Sequence, residues 1–289
     1  INLILKQNLD TIFYPDIGMS TDLYYLTFLR LAKFQITSWG HPETTGNPNI
    51  DYFLSSKLLE VEFNKAQEHY SEKLILSDYL PMYYSKPLIK KINDYELIQN
   101  NIYSCPQTLF KIHPDFDEVI KKIIMNDKKA KIFFINDIDN VFSKKIFKRL
   151  SKKLNGNIEN VKFINQLSKE EFINHCGRAS VLLDPLYFGA GNSLYESLVY
   201  GTPTVSLPTD FLKGKTVEGA YEQMQIEKPL LANNIDEYVS MATETANLNS
   251  KKILEQKKYY QDQADKHLFE NNFGLMSLQN LLIKITQKS

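Results

Sequence analysis

The sequence predicts an α/β fold of two doubly wound parallel-sheet domains, the first of them incomplete. Three observations lead there. Short β-branched or aromatic runs recur in the second half, at 102–105, 131–135, 161–164, 180–184, 204–207 and 229–232. Amphipathic stretches separate them. In "FDEVIKKIIMND", Phe116, Val119, Ile120, Ile123 and Ile124 fall on one face at helical spacing. The first part alternates less regularly, with strand-like runs at 10–14, 35–39, 51–56 and 73–77 and helical stretches at 21–31 and 60–70. Repeated strand–helix alternation implies parallel strands with helices as crossovers, and such sheets bind nucleotides at the carboxyl ends of their strands.

The elements divide the chain into a partial acceptor-side domain at 1–85, a nucleotide-binding domain at 86–250, and helices at 251–289 expected to pack back across both. Residues 78–101 have no clear period and contain Pro81 and Pro87, so the interdomain linker is expected there. The tail from Ser250 reads as helical with a break near Asn271–Gly274.

Composition narrows the function. Lys+Arg and Asp+Glu each number 34, so no global basic field recommends nucleic acid as a partner. No apolar run approaches the roughly 18 residues needed to cross a bilayer, and the start lacks the layout of a signal peptide. Ile1 stands where an initiator Met is expected, which suggests a fragment or a processed product. The two cysteines, Cys105 and Cys176, form no Cys-x-x-Cys and read as small buried residues of a protein in the reducing cytoplasm. His69, His113, His175 and His267 are scattered without metal-ligand spacing, and no metal is expected.

Three segments carry candidate chemistry. In "LLDPLYFGAGNSLYESLVYGTP", a strand ends near Asp184 and a helix starts near Asn192 or Ser193. Gly189, Ala190 and Gly191 let the backbone between them turn tightly and approach a ligand, with the first N–H groups of the helix facing a diphosphate. Glu196, one turn on, suits a ribose diol. The plain structural alternative is a capping box of Ser193 and Glu196. In "CPQTLFKIHP", Lys111 stands at a strand's carboxyl end and reads either as a phosphate-facing charge or as a solvated lysine. Lys169 in "QLSKEE" reads either as a second such charge or as part of an ordinary helix start. In "SWGHPETTG", Gly40, Pro42 and Gly46 shape a loop in which His41, Thr44 and Thr45 present polar groups suited to a sugar; the alternative for His41 is a structural role.

Together and in this order, these segments resemble the catalytic region of glycosyltransferase family 41, which includes O-linked N-acetylglucosamine transferases and bacterial N-glucosyltransferases that modify adhesins. The likeness runs over about residues 9–245, through "DTIFYPDIGM", "QITSWGHPETTG", "HYSEKLILS", "CPQTLFKIHP", "LSKEE", the glycine-turn segment and "DFLKGKTVEGAYEQM". It implies the GT-B architecture, two nucleotide-binding-like domains facing a cleft. It also implies inverting transfer of N-acetylglucosamine or glucose from a UDP-sugar to a protein Ser/Thr or Asn, without a metal. Carried over by position, Lys111 contacts the diphosphate and Gly191, Asn192 and Ser193 grip it, within a turn that begins at Gly189 and Ala190. Glu196 binds ribose, Lys169 lies near uracil, and Gly40, His41 and Pro42 line the donor sugar. The resemblance thus puts Lys111 and His41 at the chemistry. Animal-type members carry His-Thr-Thr at the helix start, Asp in place of Glu196, and Gln three residues before the lysine. Here the helix start is Gly-Asn-Ser, Thr108 holds the last of these positions, and Gln107 is the nearest substitute. The strands, acceptor-side histidine and helical-repeat arm that the family implies ahead of residue 9 are not found, and no general base is identified. A UDP-sugar-binding module without turnover, or a fragment of a larger transferase, is the competing reading. The tryptophan loop argues against an epimerase.

Overall fold

The computed structural model describes residues 1–90 and 92–287; Lys91, in the expected linker, and Lys288 and Ser289, at the end of the expected tail, lie outside the described residues. The chain forms two compact units. The first takes Ile1–Tyr83, Asp210–Lys215 and the chain from Asn271 onward; the second takes Tyr84–Thr209 and Thr216–Glu270.

The first unit is built on four parallel strands, β1 (Thr11–Tyr14), β2 (Phe34–Ser38), β3 (Tyr52–Ser56) and β4 (Lys73–Ser77), in spatial order β1-β2-β3-β4. Right-handed crossovers between parallel strands laid down in one direction all fall on one face of the sheet. The opposite face must be covered by something else. That cover is α12 (Asn272–Gln287): Leu278, Leu282 and Ile285 pack on Phe13, Phe34, Ile36, Tyr52, Leu54 and Ile75. Residues on successive strands with this alternation share one face of the pleat.

Two helices of this unit are shorter than their sequence pattern. α2 (Thr21–Leu26) stops where Thr27 turns its hydroxyl onto the Tyr24 carbonyl at 2.6 Å. α3 (Phe63–Gln67) starts late, because the Glu62 carboxylate accepts the N–H groups of Asn64 and Lys65 and so caps it. It ends early, where Gln67 donates to the Tyr70 and Glu72 carbonyls. Local side-chain bonds to the backbone compete with helix continuation at both places.

The second unit is a five-stranded parallel sheet of β5 (Ile102–Cys105), β6 (Lys131–Ile135), β7 (Val161–Ile164), β8 (Val181–Leu183) and β9 (Thr204–Val205), in spatial order β7-β6-β5-β8-β9. Winding reverses between β5 and β8, where Tyr103 pairs with Val181 and Ser104 with Leu182. The run at 229–232 adds no sixth strand. It touches the sheet through a single bridge, Ser206 to Leu231, before α10 (Ile235–Ala246) begins. α10 and α5 (Phe116–Asn126) close one face, with Phe116, Val119, Ile120, Tyr238, Val239 and Ala242 fully buried. α7 (Lys169–Arg178) and α11 (Ser250–His267) also belong to this unit, so the helical tail divides between the two units.

The Gly201-Thr202-Pro203 turn serves packing. Gly201 has φ +65°, and a methyl group added to it would stand 1.9 Å from the Lys257 carbonyl oxygen of α11. Lys257, 3% exposed, donates from Nζ to the carbonyls of Gly177 and Ala179 and so caps the end of α7. Burial pushes its ammonium down to about 7, with Cys176 opposing.

Gly201→Ala is therefore expected to cost about 3 kcal/mol or more, since a strained backbone is added to a clash with main chain. Gly156→Ala, with φ +82° and open space around it, is expected to cost about 1–2 kcal/mol. Urea denaturation of the two variants measures the difference; equal losses would mean that α11 does not lie against Gly201.

Candidate functional site

The winding reversal of the second unit brings the loops after β5 and β8 side by side. In open α/β sheets this is the crevice where ligands bind. β5 ends at Cys105, and Pro106–Thr108 leads into a single 3-10 turn, Leu109–Lys111. β8 ends at Leu183, and the chain turns through Asp184–Gly191 into the short helix α8 (Asn192–Ser197). Two hydrogen bonds stitch the loops together. Lys111 Nζ donates to the Gly189 carbonyl at 2.8 Å, and Gln107 Nε2 donates to Ser193 Oγ at 2.7 Å. The Lys111 ammonium also lies 4.3 Å from the centre of the Phe188 ring. Burial pulls Lys111 below the usual lysine range, and the charge of Asp184 works against that shift.

Asp184 shapes the turn. It is 3% exposed, its Oδ1 accepts the Ala190 N–H at 2.7 Å, and its Oδ2 accepts the Ser206 hydroxyl at 2.6 Å. Its own carbonyl accepts the Tyr238 hydroxyl at 2.9 Å. Burial pushes its carboxyl up to about 6, against the pull of Ser206, Ala190 and Lys111. Sequence reading took Asp184 only as a strand end. An acidic residue closing the apolar run "VLL" was the available signal, because a buried carboxylate needs donors nearby.

α8 begins at Asn192 with Gly191 as its N-cap, and no side chain caps it. The Ser193–Glu196 capping box does not form. The helix starts two residues too early for it, and the Ser193 hydroxyl already accepts from Gln107. Glu196 turns toward Lys169 instead, Oε1 to Nζ 3.6 Å. The Tyr84 ring stacks on Tyr195 beside it at 4.7 Å. Burial and then the Glu196 charge push the Tyr84 hydroxyl up to about 12. Lys169 takes the helix-start place that one of its readings expected. It opens α7 behind a complete Ser168–Glu171 capping box, and it reaches Glu196. A cavity of about 280 Å³, lined by Pro106, Gln107, Asn136, Asp137, Gln166 and Phe172 among others, runs along the carboxyl ends of β5, β6 and β7.

Gly40, His41 and Pro42 belong to the first unit, in the loop after β2. That loop interlocks with the one after β1. A methyl group on Gly40 would stand 2.0 Å from the Pro15 carbonyl oxygen, and one on Gly18 would stand 2.2 Å from the His41 ring. Thr44 and Thr45 do not present their hydroxyls to a sugar. Both donate to the carboxylate of Glu72, which is 2% exposed and also accepts the Thr45 N–H at 2.7 Å. The loop's shape thus depends on Glu72, which no local pattern pointed to. Cys105 and Cys176 are buried free thiols, and burial raises both above the ordinary range. His175, half-buried, lies 2.8 Å from Ser104 Oγ and is pushed down to about 4 by desolvation and by Arg178. Among the described residues no three His, Cys, Asp or Glu side chains gather as a metal site would need, and no helix is long and apolar enough to cross a membrane.

Asp184→Asn places an amide N–H₂ against one of two donors, Ala190 N–H or Ser206 O–H. The expected outcome is a stability loss of about 2–3 kcal/mol by chemical denaturation, with weaker anion binding at the turn. Unchanged stability would remove Asp184 from its organising place.

No protein-family model matches the chain. Two curated relatives, both UDP-glucose:protein N-β-glucosyltransferases of Actinobacillus pleuropneumoniae (serotype 5b strain L20 and serotype 7 strain AP76), are each 27% identical over 286 residues. The match covers 96% of this chain and 43% of each relative, so the chain spans less than half of their length. Among solved structures, an O-GlcNAc transferase mutant of Thermobaculum terrenum superposes with a TM-score of 0.83 at 17% identity, over 99% of this chain and 55% of that one. A sucrose-phosphate synthase of Thermosynechococcus elongatus superposes at 0.62 with 12% identity, over 97% and 74%. At such identities the structural matches speak for the fold alone. The chain has a GT-B-like fold, and its sequence is similar to those of protein-modifying glycosyltransferases that use UDP-glucose.

Proposed function

We propose that the chain carries the donor half of a transferase that moves glucose from UDP-glucose to an asparagine of a protein, with inversion at the anomeric carbon. The sugar and the acceptor residue are taken from the printed name of the curated relatives. The observation that carries the reading is the stitched pair of loops, with the Lys111 ammonium held 2.8 Å from the Gly189 carbonyl beside the open start of α8. Among the described residues Lys111 forms no ion pair, which supports its positive charge being available to a ligand. The diphosphate sits on the Gly189–Ser193 turn, taking the free N–H groups of the helix start and the Lys111 ammonium. Uracil enters the cavity at the ends of β5, β6 and β7, with Gln107 at its edge. Ribose lies against Glu196 and Lys169. The resemblance assigns Gly40, His41 and Pro42, in the first unit, to the donor sugar.

Negative charge grows on the leaving diphosphate as the bond to the sugar breaks. Fixed donors that need no reorganisation stabilise that charge most effectively. In this reading Lys111 and the backbone N–H groups supply the stabilisation, and no metal takes part. The two free thiols fit a reducing compartment, and the cytoplasm is the proposed location.

A donor-binding unit without turnover is the second reading. Calorimetry with UDP, followed by transfer assays with UDP-glucose and UDP-N-acetylglucosamine on an asparagine-bearing peptide, separates the two. Lys111→Ala is expected to weaken UDP about 10- to 100-fold, the size of a lost charge-assisted hydrogen bond. Unchanged affinity would remove the diphosphate from this turn. Tight UDP binding with no sugar transfer from either donor would select the second reading.

A further inference from the structure

The turn between β8 and α8 contains one residue in an uncommon backbone conformation. Tyr187 has φ +71°, in the left-handed region, while Gly189 and Gly191 of the same turn stay outside it. A residue with a side chain enters that region only where its surroundings hold it there, and such positions gather at ligand-binding turns. Two groups hold Tyr187. Its hydroxyl donates to Asp115 Oδ2 at 2.7 Å, and its ring meets the His113 ring edge-on, 4.9 Å between centres at 89°. Those two groups are themselves fastened. His113 Nδ1 accepts the Asp115 N–H at 3.2 Å, and the Ile112 carbonyl accepts from Arg149 at 3.1 Å. Arg149, on α6 (Val141–Lys153), also donates to Asp117 Oδ2 at 2.6 Å.

The bond from Tyr187 to Asp115 completes a series. Three pairs join the loop after β5 to the loop after β8: Gln107 with Ser193, Lys111 with Gly189, and Asp115 with Tyr187. Residue numbers rise along one loop as they fall along the other, so the two run antiparallel with Lys111 in the middle pair. Phe188, next to Tyr187, puts its ring 4.3 Å from the Lys111 ammonium and 6.1 Å from the Phe110 ring. The groups that hold Lys111, Phe188 and Gly189, are therefore the two residues that follow the anchored tyrosine. All of these residues lie in the second unit.

We propose that Tyr187 is a positioning residue for the donor diphosphate: anchored on Asp115, it sets the Phe188 ring and the Gly189 carbonyl that aim the Lys111 ammonium. The inference rests on the donor reading given above. Tyr187 acts through Lys111 and makes no contact with the diphosphate itself. A lysine side chain is flexible, and ordering it at the moment of binding costs affinity. The tether meets that cost during folding. Glycine at 187 would suit the backbone better, but it would supply no hydroxyl for Asp115.

Calorimetry of the whole chain with two probes, UDP and uridine, tests the assignment. Tyr187→Phe keeps the ring and removes only the hydroxyl. It is expected to weaken UDP about fivefold or more and to leave uridine, which lacks the diphosphate, unchanged. Asp115→Ala is expected to do the same. Asp115→Asn, whose amide oxygen still accepts the hydroxyl, is expected to recover most of the affinity. Tyr187→Phe combined with Asp115→Ala is expected to be no weaker than either change alone, because both remove one bond. A UDP Kd within about twofold of wild type in Tyr187→Phe would overturn the assignment. Equal weakening of UDP and uridine would also overturn it, since that marks a general disturbance of the unit. Additive losses in the double variant would overturn the tether. A wild-type chain that binds no UDP would sink the donor reading and this inference with it, whereas wild-type binding with an unmoved Tyr187→Phe removes the inference alone.

Discussion

The turn between β8 and α8 depends on one buried carboxylate. Asp184 sits at the end of β8, in the hydrophobic interior, where an unpaired charge would cost several kcal/mol. The chain meets that cost by bringing donors to it: the Ala190 N–H from the turn and the Ser206 hydroxyl from beyond β9. The turn must therefore fold back over its own strand. Folding back sets the Gly189 carbonyl where Lys111 reaches it, and leaves the start of α8 open. The turn's shape thus follows from satisfying one buried carboxylate.

Two lysines, one buried and one half-buried, show how the same chemistry serves different ends. Lys257 and Lys111 both donate to backbone carbonyls, and burial lowers both. Lys257 spans two carbonyls at the end of α7, where the helix dipole already favours a cation, and it is enclosed. Its task is finished by the fold. Lys111 bonds one carbonyl at the mouth of a strand-end crevice and keeps its remaining donors for something else. Position relative to the sheet, more than residue type, separates an enclosed lysine from one at a strand-end crevice.

The first unit obeys a plainer constraint. Four strands laid down in one direction leave one face bare, and α12, nearly two hundred residues later in the chain, covers it. The loops at its strand ends are held by close backbone approach at Gly18 and Gly40 and by Glu72 beneath Thr44 and Thr45. Here a polar loop is a braced structure. Its hydroxyls are used within the fold, and the groups that remain for a substrate are fewer than its composition suggests.

Strand–helix alternation, visible as runs of β-branched residues between amphipathic stretches, determined the α/β class and nearly every strand, because period-2 and period-3.6 patterns are local properties of the chain. The segment from Gly189 to Glu196, with Lys111 and Gln107, was legible for a related reason: glycines at a strand end and a lysine after a strand are local marks of a ligand-facing loop. The single-bridge run at 229–232 and the truncated α2 and α3 were not legible, since tertiary pairing and side-chain competition for the backbone decide them. Nor were Asp184 or Glu72 as organisers. A carboxylate's role depends on which donors surround it, and those donors come from residues up to 28 positions away, as Thr44 and Glu72 show. Sequence alone determined which groups the chain owns and the periods that fold it. Tertiary structure alone decided which of those groups satisfy one another and which are left for a ligand, because burial, not identity, sets the cost of leaving a polar atom unpaired.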